Sequence, residues 1–315
     1  MAFHRSICVE RLAALVVALL VWPSMAQAQQ PPRSIVVISA GGGDYLKGAG
    51  GTLARFIAEG FKVYVIQAGS DEKNSIGLGP AETRLANNGD AGGAAKILGV
   101  TEIVNLNNKS GELSQLSSNE LRNQMSTLIR FFKPQKLFLP DPFIHYVPEW
   151  DQFWTGRAAE ETNYTNSAAF LAELTRIGIG GHSIPETYYY SAHRPYRPGE
   201  GGHNGARLEA VDITKTFERK VDACLQLRTA NRVNAEHVRW RLELMNRPSA
   251  LLREVTATSI DALARDWLEE LASTIGAKHG FSRGEEFNYH GSPPGEKRPL
   301  PPWIMERAKP MPHKP

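Results

Sequence analysis

Ser34-Ile-Val-Val-Ile-Ser-Ala-Gly-Gly-Gly-Asp-Tyr-Leu-Lys-Gly-Ala-Gly-Gly-Thr-Leu-Ala54 decides the fold. A short β-branched apolar run ends in three glycines, which lead into Asp44 and a Gly-Gly-Thr-Leu-Ala helix start. That is the strand, loop and helix order of an α/β site. Further apolar runs at 62–66, 102–106 and 136–139 alternate with helical patterns. The alternation predicts a Rossmann-like, mostly parallel sheet with flanking helices and a helical C-terminal addition. The clearest helix follows Ser117-x-x-Glu120, a capping box ahead of Leu121, Met125, Leu128 and Phe132, and Pro134 ends it.

Downstream, one helix is expected over 151–176, then a glycine break at 178–181 and the aromatic strand Glu186-Thr-Tyr-Tyr-Tyr190 with one face on the core. The segment 193–205, rich in Gly, Pro, Arg and His, reads as a long surface loop of the kind that often carries function. Val211-Asp-Ile-Thr214 is expected to open a helix, and two more follow near 235–245 and 260–275.

The N-terminus carries Arg5 and Arg11, an apolar run at 12–22 and an Ala26-x-Ala28 site. This is the pattern of a secretory signal at 1–28, and its apolar core of about 11 residues falls short of the ~20 that span a bilayer. The expected location is a periplasm or the exterior, with no membrane contact after cleavage. The remaining chain of about 287 residues suits one domain over 29–291, followed by a proline-dense tail at 292–315 with too little apolar surface to order itself. The 36 basic and 33 acidic residues are interspersed and leave a charge of +3, so no nucleic-acid partner is expected. Cys8 falls in the signal and Cys224 in a helical pattern, which leaves no disulfide for the mature chain. Gly41-x-Gly43 lacks the third glycine of a dinucleotide loop, and Gly43 and Gly48 are not followed by the P-loop lysine.

The glycine loop, with Gly48, Gly50 and Gly51, resembles the active-site loop of the PIG-L (LmbE-like) N-acetylglucosaminyl deacetylase family, Pro-His-Pro-Asp-Asp-Glu followed by Gly-x-Gly-Gly. Gly92-Gly-Ala-Ala-Lys-Ile-Leu-Gly-Val100, 211–214 with Lys220 and Ala223, and Gly284-Glu-Glu-Phe287 resemble its scaffold motifs, so the likeness spans 34–287. The family holds zinc with two histidines and the second Asp of the loop, and uses the first Asp as general base. The resemblance places the first histidine at Gly41, the base at Gly43 and the ligand Asp at Asp44. The family's later His-Pro-Asp-His falls on Glu149, Trp150, Asp151 and Gln152, with Gln152 where the last ligand histidine belongs.

Zinc catalysis needs ligands that leave an open position for an acidified water and a carboxylate to take its proton. Glycine has no side chain, and a glutamine amide is a poor substitute for imidazole. Asp44 is then a vestigial metal residue, and no cofactor is expected although zinc is the family's. The resemblance implies a ligand site at Gly41, Gly42, Gly43, Asp44, Tyr45, His145, Glu149, Asp151 and Gln152. Its ligand would be carbohydrate-like or another small molecule, bound without hydrolysis. The rival is an enzyme with a rebuilt site drawing on Asp44, Asp141, His145, Glu149, Asp151 and His193 or His203, a metal-dependent amidohydrolase or hydratase-like protein.

Overall fold

The computed structural model describes residues 33–145, 150–162, 167, 169–202, 206–291 and 302–308. Seven strands form one sheet in the order β3-β2-β1-β4-β5-β7-β6. The four strands expected first are β1 (Ser34–Ser39), β2 (Lys62–Gly69), β3 (Glu102–Asn108) and β4 (Lys136–Pro140), and the aromatic strand is β5 (Glu186–Tyr190). All five pair in parallel. The helices α1 (Asp44–Ala58), α2 (Pro80–Leu98) and α3 (Ser118–Phe132) connect the first four strands. Parallel neighbours require such crossovers, and these leave both sheet faces covered.

Each face has its own core. Ile35, Val37, Leu46, Phe138 and Tyr188 belong to one cluster and Val36, Ile38, Ile66, Leu137 and Leu139 to the other, as period-two alternation along β1 and β4 demands. Tyr188 stacks on Phe138 with ring centroids 4.5 Å apart. Ser117 caps α3 by accepting the Glu120 N–H at 3.1 Å, and the helix closes at Lys133 in a left-handed conformation, one residue before Pro134.

Several expectations are corrected. The helix placed over 151–176 is two, α5 (Trp150–Thr162) and α6 (Ala172–Arg176), preceded by the short α4 (Pro142–His145). The residues around 211–214 do not open a helix. They end β6 (Arg207–Asp212), Asp212 Oδ1 accepts the Thr214 N–H and hydroxyl, and α7 starts only at Phe217 (Phe217–Leu225). Gly284-Glu-Glu-Phe287 opens β7 (Gly284–Gly291), which runs antiparallel between β5 and β6. Between β6 and β7 lie α7, α8 (Arg228–Leu244) and α9 (Ala257–His279), the helical addition. The tail expected to lack order contains α10 (Pro302–Arg307), a short turn of helix with Trp303 and Met305 exposed. The signal segment and the rest of the tail lie outside the described residues. Among the described residues no helix is long and apolar enough to cross a membrane.

Candidate functional site

Open parallel sheets present their ligand crevice at the carboxyl ends of the strands. Here those ends bring together the 40–43 loop after β1, Ser70 and Asp71 after β2, Ser110 and Gly111 after β3, and Asp141 after β4. The Gly69 N–H bonds Ala40 O at 2.8 Å, the Asp71 N–H bonds Ser110 Oγ at 2.8 Å, and the Gly111 N–H bonds Asp151 Oδ2 at 2.5 Å. These bonds tie the loops to one another and to the first turn of α5.

Asp44 opens α1, where the unpaired N–H groups and the helix dipole favour a carboxylate. Its Oδ2 accepts the Gly41 N–H at 2.8 Å and so folds the glycine loop back on the helix start. The side-chain space above that loop is taken. A Cβ at Gly41 would stand 2.7 Å from Asp71 Oδ1, one at Gly43 2.5 Å from Leu227 Cδ1, and one at Gly42 2.9 Å from Ala91 Cβ. Thus Asp71 occupies the space of the histidine that the resemblance places at 41, and Leu227 that of the base at 43.

Asp71 is the residue that sequence reasoning missed. It sits at φ 54°, a left-handed conformation that aspartate tolerates better than most residues. Its Oδ2 accepts the Gly42 N–H at 2.7 Å and Gln67 Nε2 at 3.2 Å, and Asn87 Nδ2 holds its carbonyl at 2.9 Å. Burial raises its pKa to about 7, and the charges of Asp44, Glu72 and Asp151 add to the rise against the Gly42 hydrogen bond. An acidic residue immediately beyond a buried strand that pairs with β1 was the available signal.

Asp151 is also raised, by burial first, with the Gly111 and Leu113 amides opposing. Gln152 is buried beside it, and its Oε1 has no hydrogen-bond partner among the described residues. Glu149 and His203 lie outside the described residues.

Other candidates are committed elsewhere. The Tyr45 ring is wholly buried in the first core cluster and cannot line an open cleft. His145 Nδ1 is 2.9 Å from Asp141 O and its Nε2 accepts the Ala192 N–H at 3.3 Å, so both ring nitrogens are engaged. Burial, helped by His193, pulls its pKa down to about 4 and keeps the ring neutral. The Asp141 carboxylate is fully buried and accepts the Tyr196 hydroxyl, Asn288 Nδ2 and the Phe143 N–H. Tyr196 thereby anchors residues 193–202, the described part of the segment expected to run over the surface, into the core.

The fit to zinc follows from these donors. Asp44 is the family-type ligand present, position 41 has no donor and no room for one while Asp71 stays, and position 152 offers an amide. Among the described residues no group of three or more His, Cys, Asp or Glu side chains converges as a metal would require. The donor set does not fit a tightly held zinc.

Residues 36–151 match the model of a protein family described as PIG-L, GlcNAc-PI de-N-acetylase. No curated protein matches the chain. Among solved structures, the chain is similar to an N,N'-diacetylchitobiose deacetylase from Pyrococcus horikoshii. The TM-score is 0.65 and the identity 20%, covering 92% of this chain and 95% of that one. It is also similar to the conserved protein TT1542 from Thermus thermophilus (TM-score 0.57, 19% identity, 82% and 94% covered). A third likeness is to GalB, the 4-carboxy-2-hydroxymuconate hydratase of Pseudomonas putida (0.56, 16%, 85% and 100%). At these identities the likeness is one of fold. With the matched segment running from β1 through the glycine loop to Asp151, residues 36–151 carry a match to the PIG-L family and the chain shares the fold of its deacetylases.

Proposed function

We propose that this is an exported PIG-L protein that binds a carbohydrate-like or other small polar ligand at the carboxyl ends of its strands and does not hydrolyse it by the family's zinc route. One observation carries the reading: the space of the histidine at position 41 is filled by the Asp71 carboxylate, which Gly42 and Gln67 hold in place. The carbohydrate class is supported by the substrate named for the diacetylchitobiose deacetylase, whose fold the chain shares. The carboxylates of Asp44, Asp71 and Asp151 gathered at the strand ends suit hydroxyl-rich ligands, which need many short polar contacts.

Zinc content, acetate release from N-acetylglucosamine derivatives and calorimetric titration with N,N'-diacetylchitobiose test it on the chain without residues 1–28. The expected result is zinc well below one per chain, no acetate and saturable sugar binding. Stoichiometric zinc with acetate release, or no binding to any small glycan, overturns it.

A second reading, an enzyme with a rebuilt site, is favoured by the near-neutral Asp71, since a carboxyl titrating near pH 7 is suited to moving protons. Its mark would be turnover that Asp71→Asn abolishes while ligand binding persists.

A further inference from the structure

Beside the loops at the strand ends lies a narrow cleft between α1, α8 and α9, with an interior volume of about 30 Å³ that opens to solvent as a groove within about 480 Å³ of space. One face of α9 builds it. Ile260, Leu263 and Trp267 recur at intervals of three and four residues, the spacing that puts side chains on one helical stripe. Leu268, beside them, is buried in the first core cluster. Ile260 and Leu263 are only half-buried and Trp267 remains 41% exposed, so the stripe continues past the core into the cleft without a covering element.

The polar side chains in the lining are Lys47, Asn231 and Asn234, and no carboxylate is among them. Lys47 comes from α1, one turn after Asp44. Among the described residues no carboxylate lies within ion-pair distance of its ammonium, while most of the half-buried lysines and arginines have such a partner. The Trp267 ring lies 5.8 Å from Lys47 Nζ, which places the cation and the aromatic surface at one end of the same cleft. Asn231 is held by its Nδ2 bond to Cys224 O. The cleft is thus apolar over most of its wall, positively charged at one end and free of negative charge.

We propose that this cleft is a binding site for an organic anion with an apolar body, a medium-chain acyl or aryl carboxylate. The carboxylate pairs with Lys47 and the body lies along Ile260, Leu263 and Trp267. An uncharged amphiphile of equal length fills the same wall but forgoes the charge-assisted hydrogen bond. A cationic one meets Lys47 with like charge. The site does not depend on the glycan reading, because its lining shares no residue with the glycine loop or the carboxylates around Asp71.

Calorimetric titration of the chain without residues 1–28 with octanoate, 1-octanol and octylamine tests the proposal. Octanoate is expected to saturate a single site about tenfold or more tightly than octanol, the margin of a charge-assisted pair, and octylamine to bind weakest. Lys47→Met should bring octanoate to the level of octanol and leave octanol unchanged. Leu263→Trp, which fills the cleft, should abolish both, with circular dichroism confirming the fold. Equal affinity for octanoate and octanol, no effect of Lys47→Met, or no saturable binding overturns the proposal. If Leu263→Trp does not fold, the Lys47→Met comparison decides alone. Because N,N'-diacetylchitobiose is titrated separately, a failed glycan reading leaves this result standing and the converse also holds.

Discussion

At the scale of single residues, Asp71 and His145 set opposite pH dependences. Asp71 has its pKa raised by burial to about 7, so folding favours its protonated form. The stabilisation is complete below the unfolded-state pKa near 4 and is lost as pH rises through 7. Raising the carboxyl from its ordinary value to about 7 is worth up to about 4 kcal/mol. His145 is kept neutral with its pKa lowered to about 4, so its share is present above the unfolded value of about 6.5 and lost as pH falls toward 4. The two slopes oppose each other over one window. Asp71→Asn keeps an acceptor for the Gly42 N–H and removes the ionisation. It is expected to raise stability at pH 8 by about 2–4 kcal/mol, with little change at pH 4. It should also leave a curve that falls between pH 6.5 and 4 as His145 is protonated in the unfolded chain. Urea unfolding of both proteins from pH 4 to 8 measures this, and an unchanged difference across that range contradicts the assignment.

At the scale of elements, the Gly48, Gly50 and Gly51 pattern serves packing. Lys220 on α7 and Glu285 on β7 form a buried ion pair at 2.7 Å. Glu285 accepts the Gly51 and Thr52 N–H groups at 2.9 and 2.8 Å, and Lys220 Nζ donates to Lys47 O at 2.7 Å. The pair therefore meets the carbonyl of Lys47 and the N–H of Gly51, groups that ordinarily bond each other across a helical turn. A Cβ at Gly51 would stand 2.8 Å from Ile213 Cβ, so only glycine lets α1 lie this close to the β6 exit. Lys220→Met should destabilise the fold by about 3–5 kcal/mol, because it strands the Glu285 charge in the core. The double variant Lys220→Met with Glu285→Gln should recover part of the loss in denaturant unfolding. A single variant as stable as the parent would show the pair to be dispensable.

At the scale of the whole molecule, the sheet gathers the loops after β1, β2, β3 and β4 at one edge and the helical addition closes over that edge. Leu227, at the α7–α8 junction, reaches Gly43, and Asp90 on α2 accepts the Thr229 N–H at 2.7 Å at the start of α8. Asp90 thus holds a helix start against α2. Export belongs to this scale as well, as a proposal from the sequence. Expressed with its own N-terminus in a Gram-negative host, the protein should be recovered from the periplasm beginning at Gln29. Recovery in the cytoplasm with Met1 intact contradicts the signal reading.

The parallel strands, the α3 cap at Ser117 and the family likeness were legible in the chain because each is written locally, in alternation, spacing and capping chemistry. The antiparallel strands β6 and β7 were not, since their residues pair across some 70 positions of helical chain and their neighbours, not their own pattern, make them strands. The same division runs through the site. Set against the family it resembles, the sequence alone indicates which side chains to expect missing, imidazoles at 41 and 152 and a carboxylate at 43, because a side chain's chemistry is a property of its residue. Only the tertiary structure decided what stands in the vacated space. Asp71 and Leu227 arrive there from other elements, and close packing lets a glycine's empty volume be filled by whichever side chain the fold brings against it.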